Sequence, residues 1–140
     1  MIRKFTQSDR DTVMNIWLTS NIQAHSFIPK EYWINHFEQV KEILPQSTVY
    51  VYEKNGSVQG FIGLTEHHIE GIFVEESMRG KRIGTQLLNH AKQFFSSLTL
   101  QVYEENQSAL RFYFKEGFQI KKKQMDSETD QMEFTMEWSM

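Results

Sequence analysis

The sequence predicts a mixed α/β fold, a mostly antiparallel seven-stranded sheet flanked by four helices, with one parallel crossover in it. Three observations carry this. Short runs alternate apolar and polar residues, longer runs repeat apolar residues at three- and four-residue spacing, and the runs follow the order β-α-α-β-β-β-α-β-α-β-β.

Ile2 to Phe5 reads as the first strand. Ser8, Asp9 and Asp11 form a capped helix start ahead of Val13, Ile16 and Trp17. Pro29 suits the first turn of a second helix, whose apolar positions Trp33, Phe37, Val40 and Leu44 recur at helical spacing until Pro45 stops it. Two alternating runs then meet at Asn55-Gly56, the strongest short-range hairpin signal. "HIEGIFVEE" is a further strand, and Thr85 to Phe95 a third helix turning Leu87, Leu88, Ala91, Phe94 and Phe95 inward. "LTLQVYE" alternates as a strand, Asn106 opens a short fourth helix, and Gly117 closes it. Strands near Phe118 to Met125 and Met132 to Trp138 flank the polar turn "DSETD".

A chain of 140 residues supports one domain with a real core, so residues 1–140 are expected to form a single domain. The composition, 39% hydrophobic and 24% charged, is that of a soluble globular protein. The lack of cysteine excludes disulfides, thiolate metal sites and a cysteine nucleophile. Without a signal-like or membrane-spanning apolar run, the cytoplasm is the expected compartment and no membrane partner is expected. A net charge of -3 gives no general reason to bind nucleic acid. Any phosphate must then be held by a local feature.

Such a feature lies in "VEESMRGKRIGTQLLNHAK", residues 74–92. Between a strand and a helix start stand Arg79, Gly80, Lys81, Arg82, Ile83 and Gly84. Free backbone N–H groups at a helix N-terminus attract anions, glycines let a phosphate approach, and the three cations add charge. The alternative is a solvated basic turn. The spacing is neither that of a P-loop nor that of a Rossmann turn.

Over essentially the whole chain the sequence resembles the GNAT superfamily of acyl-CoA N-acyltransferases. "IFVEESMRGKRIGTQLLNHA" is similar to their coenzyme A segment, [Q/R]-x-x-G-x-[G/A] after a strand, and "YEENQSALRFYFKEGF" to their asparagine-led helix with an aromatic pair and a Gly-Phe close. Arg79 and Gly84 match the pattern, while Arg82 stands where its first glycine is usual. The resemblance implies a GNAT-like fold and acetyl-CoA as the acyl donor. It places the donor on the Ile72, Phe73 and Val74 backbone, on Arg79 to Thr85, and on Asn106 and Tyr113. It also implies that the strand ends near Ile72 to Val74 splay to admit the pantetheine arm, and it allows a homodimer.

For the chemistry, the resemblance points to Tyr113 as the group that protonates the departing thiolate. A phenol of ordinary pKa about 10 can protonate a thiolate whose acid lies near 8.5. Its alternative is a core tyrosine beside Phe112 and Phe114. Strand parity sets His68, Glu70, Ile72 and Val74 on one face, which makes His68 and Glu70 the pair to consider for the base, with His68 ahead because imidazole titrates near neutrality. Either residue would otherwise just solvate a strand face. Adjacent histidines on a strand diverge, so no metal site is expected at His67, His68 and Glu70.

His25, Phe27, Tyr32 and Trp33 lie in the segment that, by the resemblance, covers the acceptor in this superfamily, although Trp33 also fits a core stripe. The leading expectation is an N-acetyltransferase acting by direct attack on a small-molecule primary amine. Protein lysine or an N-terminal amine is the runner-up acceptor. A non-catalytic acyl-CoA sensor and a nucleic-acid or protein scaffold are the readings of other classes.

Overall fold

The structure, a computed structural model, describes residues 1–140. Seven strands form one sheet in the order β1-β2-β3-β4-β5-β7-β6, with β1 Ile2–Lys4, β2 Thr48–Lys54, β3 Ser57–Thr65, β4 His68–Val74, β5 Ser97–Tyr103, β6 Gln119–Asp126 and β7 Gln131–Ser139. Neighbours are antiparallel except β4 and β5, the expected parallel pair. Helices α1 (Arg10–Ala24) and α2 (Lys30–Ile43) cover one face of the sheet, α3 (Ile83–Lys92) and α4 (Gln107–Lys115) the other. Each face has its own core: Val13, Ile16, Trp17 and Trp33 pack on Val49, Val51 and Phe61, while Leu87, Leu88 and Leu110 pack on Ile62, Leu98 and Leu100. No helix is long and apolar enough to cross a membrane.

Local chemistry accounts for the element ends. Thr6 and Asp9 form a capping box around a single 3-10 turn, Gln7–Asp9, from which α1 continues. Arg3 holds the buried Asp9 carboxylate with two bonds of 2.8 and 2.9 Å, tying β1 to the helix start. Asn55 and Gly56 both take positive φ, 56° and 76°, as a tight hairpin turn requires. The third helix is shorter than expected. It starts at Ile83 and ends at Lys92, where Gln93 and Phe94 bond back to His90 and Ala91 in a tightened 3-10 turn. That turn rotates Phe94 off the apolar stripe, so it is exposed and stacks on Tyr50 rather than entering the core.

Two irregularities shape the middle of the sheet. Gly63 pairs with Gly71 and Leu64 with Ile69, so Glu70 is the extra residue of a β-bulge. The bulge overturns the expected strand parity: Ile69, Ile72 and Val74 all pack toward α3, whereas His68 points to the α1–α2 face, its Nδ1 2.8 Å from the Thr99 hydroxyl. Beyond the bulge β4 leaves its neighbour. Only His68 with Thr99 and Ile69 with Leu100 are paired between β4 and β5, and the rest of the two strands diverges.

The outer strand β6 carries Lys121, Lys122 and Lys123 and a bulge between Ile120 and Lys122. Charge and bulge are both ways of blunting an exposed sheet edge. At the opposite end, β1 is only three residues long.

Candidate active site

Where β4 and β5 part, a cleft of about 670 Å³ opens between the last turn of α1, the end of β4 and the start of α4. One end of it is basic. The first intrahelical bond of α3 runs from Gln86 N–H to the Arg82 carbonyl, 3.0 Å, so the N–H groups of Ile83, Gly84 and Thr85 have no partner within the helix. Gly80 and Arg82 both take left-handed backbone, φ 79° and 64°. Arg79 donates to the Val74 carbonyl and to Gln23, and with Gly84 it lines the cleft. Exposed Lys81 and Arg82, with Gly80, stand beside the cleft rather than in it. The Ile83 side chain is buried in the core, leaving only its backbone free for a ligand, and Thr85 turns its hydroxyl to Glu116 at 3.2 Å.

The other candidate donor contacts, Ile72, Phe73, Val74, Asn106 and Tyr113, also line the cleft. Asn106 caps α4 by accepting the Ala109 N–H at 3.3 Å. At the far end of this helix Gly117 adopts φ 96°, its N–H donates to the Phe114 carbonyl, and the Phe118 N–H donates to the Tyr113 carbonyl. This is a Schellman ending, and its usual apolar contact is the Tyr113 ring on Phe118, 5.5 Å between centroids. Tyr113 is thus fixed by backbone and ring together. Burial alone pushes its phenol above the ordinary tyrosine range, so the hydroxyl keeps its proton at neutral pH.

The opposite end of the cleft is aromatic and acidic. His25 lines it, stacked on Trp33 at 5.0 Å. Burial lowers the His25 pKa to about 4, leaving the ring neutral. Phe27 packs behind, edge-on to His25 and Tyr103. Glu70 borders the cleft and also a second depression of about 380 Å³, which holds His68, Tyr32, Asp126, Glu128 and Glu133. There Tyr103 donates to Asp126 at 2.6 Å and Tyr32 to Glu128 at 3.5 Å. Burial, then the neighbouring carboxylates, raises the pKa of Tyr32, and burial with the Asp126 bond raises that of Tyr103. Of the two base candidates, Glu70 alone reaches the main cleft.

The profile of the acetyltransferase (GNAT) family matches residues 10–118. The chain belongs to that family. It is 30% identical over 140 residues to the peptidyl-lysine N-acetyltransferase YiaC of Escherichia coli K12, covering 99% of this chain and 96% of that protein. It is 31% identical to the peptidyl-lysine N-acetyltransferase YjaB of Salmonella typhimurium LT2, covering 85% and 83%. The solution structure of apo YjaB from Escherichia coli superposes with a TM-score of 0.87 at 26% identity, over 99% of this chain and 96% of that one. The fold of yncA from Salmonella typhimurium, solved with acetyl-CoA, is also shared, with a TM-score of 0.69 at 16% identity over 99% and 92%.

This GNAT protein is therefore an N-acetyltransferase that takes its acyl group from acetyl-CoA and gives it to an amine. The chain's own residues fit that donor: unpartnered N–H groups and Arg79 meet the cleft at one end, and two parted strands offer unpaired backbone along it. Several lining residues escaped the sequence reading, among them Trp17, Ser20, Asn21, Tyr103 and Asp126. Trp17 lies on the apolar stripe of α1 and is indistinguishable there from core. Tyr103 closes a strand, and only its bond to Asp126 across β7 shows that it faces a depression.

Proposed function

We propose that residues 1–140 act as one catalytic domain that acetylates the ε-amine of a lysine within a peptide, by direct attack on acetyl-CoA. The carrying observation is Glu70, which borders both the main cleft and the acidic depression, so a cationic side chain entering past Glu128 and Asp126 is led to the reacting end. Charge divides the site: phosphates meet the Arg79 loop, and a lysine meets carboxylates. Two relatives named as peptidyl-lysine N-acetyltransferases support the same acceptor.

In this reading Glu70 withdraws the ammonium proton through water, because a lysine of ordinary pKa about 10.4 must lose it before attacking. Backbone N–H groups within Ile72 to Val74 stabilise the oxyanion, and Tyr113 returns a proton to the thiolate. Direct attack accords with a chain that has no cysteine to carry the acetyl group.

Thiol release with lysine peptides, peptides blocked at lysine, and small primary amines tests the acceptor. Acetylation confined to peptides with a free lysine is expected. Turnover of small amines alone would establish the small-molecule reading instead, and acetyl-CoA binding without turnover on any amine would leave a sensor.

A further inference from the structure

The end of α1 touches both the loop that leads into α3 and the start of α4. Gln23 accepts a bond from Arg79 and donates to Glu76. Two residues on, His25 closes a one-way relay. Its Nδ1 lies 3.0 Å from the Asn21 carbonyl, which accepts only, so Nδ1 carries the proton and Nε2 is a lone pair. That lone pair faces the Asn106 amide nitrogen at 3.4 Å, and the Asn106 oxygen in turn caps α4.

We infer that His25 is a positioning residue: as the neutral Nδ1–H tautomer it fixes the amide of Asn106, and with it the start of α4, for acetyl-CoA. The Ala109 N–H, a donor, selects the Asn106 oxygen. His25 accepts from the nitrogen on the other side, so the amide is pinned at both ends. The relay joins the α1–α2 layer to the α4 layer across the place where β4 and β5 part, so a segment expected to serve the acceptor also orders the donor's site. This rests on the reading of Asn106 as a donor contact.

The test is calorimetric titration of acetyl-CoA into four proteins, namely wild type, His25→Phe, Asn106→Ala and the double variant. Phenylalanine keeps the ring on Trp33 and removes both hydrogen bonds. Each single variant is expected to weaken acetyl-CoA binding about five- to tenfold, with the double variant no weaker than Asn106→Ala alone. His25→Gln, which retains an acceptor, is expected to recover most of the loss, and steady-state kinetics to show a raised KM for acetyl-CoA with little change in that for the acceptor. Equal and multiplicative losses in the double variant, or a rise in acceptor KM alone, would overturn the proposal. If Asn106→Ala binds acetyl-CoA normally, the donor role of Asn106 fails and the proposal with it. If Asn106→Ala is weakened and His25→Phe is not, only the proposal falls. Should His25→Phe not fold, His25→Leu in both backgrounds, which likewise offers Asn106 no acceptor, carries the same comparison.

Discussion

The side chains of His68 and Glu70, two positions apart on β4, meet in the acidic depression, where the Thr99 hydroxyl holds His68, but only Glu70 also borders the main cleft. The bulged residue is the one that lines the cleft. Glu70→Gln is therefore expected to lower kcat/KM for the acceptor by about 10² at neutral pH, with His68→Gln losing less than tenfold. Acetyl-CoA binding should be unchanged in both. Steady-state rates from pH 6.5 to 9.5 check this, since the Glu70→Gln deficit should shrink as free amine accumulates. A larger loss for His68→Gln would reverse the assignment.

Tyr113→Phe keeps the ring against Phe118 and the Schellman contact, and removes the hydroxyl alone. As general acid, its loss should lower kcat by about 10² to 10⁴ while the acetyl-CoA dissociation constant changes little. A parallel loss of binding would make the phenol a coenzyme contact instead.

Arg82 occupies left-handed backbone at the position before α3, where a side chain costs about 1–2 kcal/mol and glycine none. Against this, glycine loses about 0.5–1 kcal/mol more backbone entropy on folding. Arg82→Gly should then stabilise the protein by about 0.5–1 kcal/mol and raise its Tm by about 3 °C. Acetyl-CoA affinity should move by less than about tenfold, because one exposed cation is lost while the backbone donors remain. A lowered Tm would show that the arginine makes compensating contacts.

Acid stability is set in two steps. The folded pKa of His25, about 4, lies below its unfolded value, so its neutral form favours folding fully above about pH 6.5 and that contribution is lost as pH falls toward 4. Asp9 is held below the usual carboxylate range by hydrogen bonds from Arg3, so its contribution is complete above about pH 4 and disappears at lower pH still. His25→Phe should flatten urea-unfolding stability between pH 6.5 and 4, and leave the lower step in place. Arg3→Met should cost about 2–4 kcal/mol at pH 7, since it strands a buried carboxylate whose partner was partly solvated.

The fold was legible because it rests on patterns local in sequence. The Asn55-Gly56 turn, the Asn106 cap and the Gly117 stop each act within a few residues, and the apolar periods between them name their elements. The cleft was legible where a loop, a cap or a stretch of familiar pattern carries it, as at Arg79, Asn106, Ile72 to Val74 and Tyr113, and not where pairing between strands does. Glu70 shows why: alternation places it with Ile72 and Val74, but the bulge exists only because β3 pairs Gly63 with Gly71 and Leu64 with Ile69, a fact of two strands rather than one. Phe94 failed for a related reason, since a last turn tightened to 3-10 spacing shifts a residue's direction without changing the sequence pattern.

The lysine run and bulge of β6 also bear on how copies of this chain meet. Two molecules joined through this strand would set Lys121 to Lys123 of each against the same run or its neighbours in the other, like charges at cross-strand distance, with each bulge breaking the register between them. The three-residue β1 gives too short a seam at the far side. The sheet is therefore terminated at both ends, and a homodimer would have to be built from helix faces or loops, leaving the seven strands of each molecule as a closed unit rather than half of a larger one.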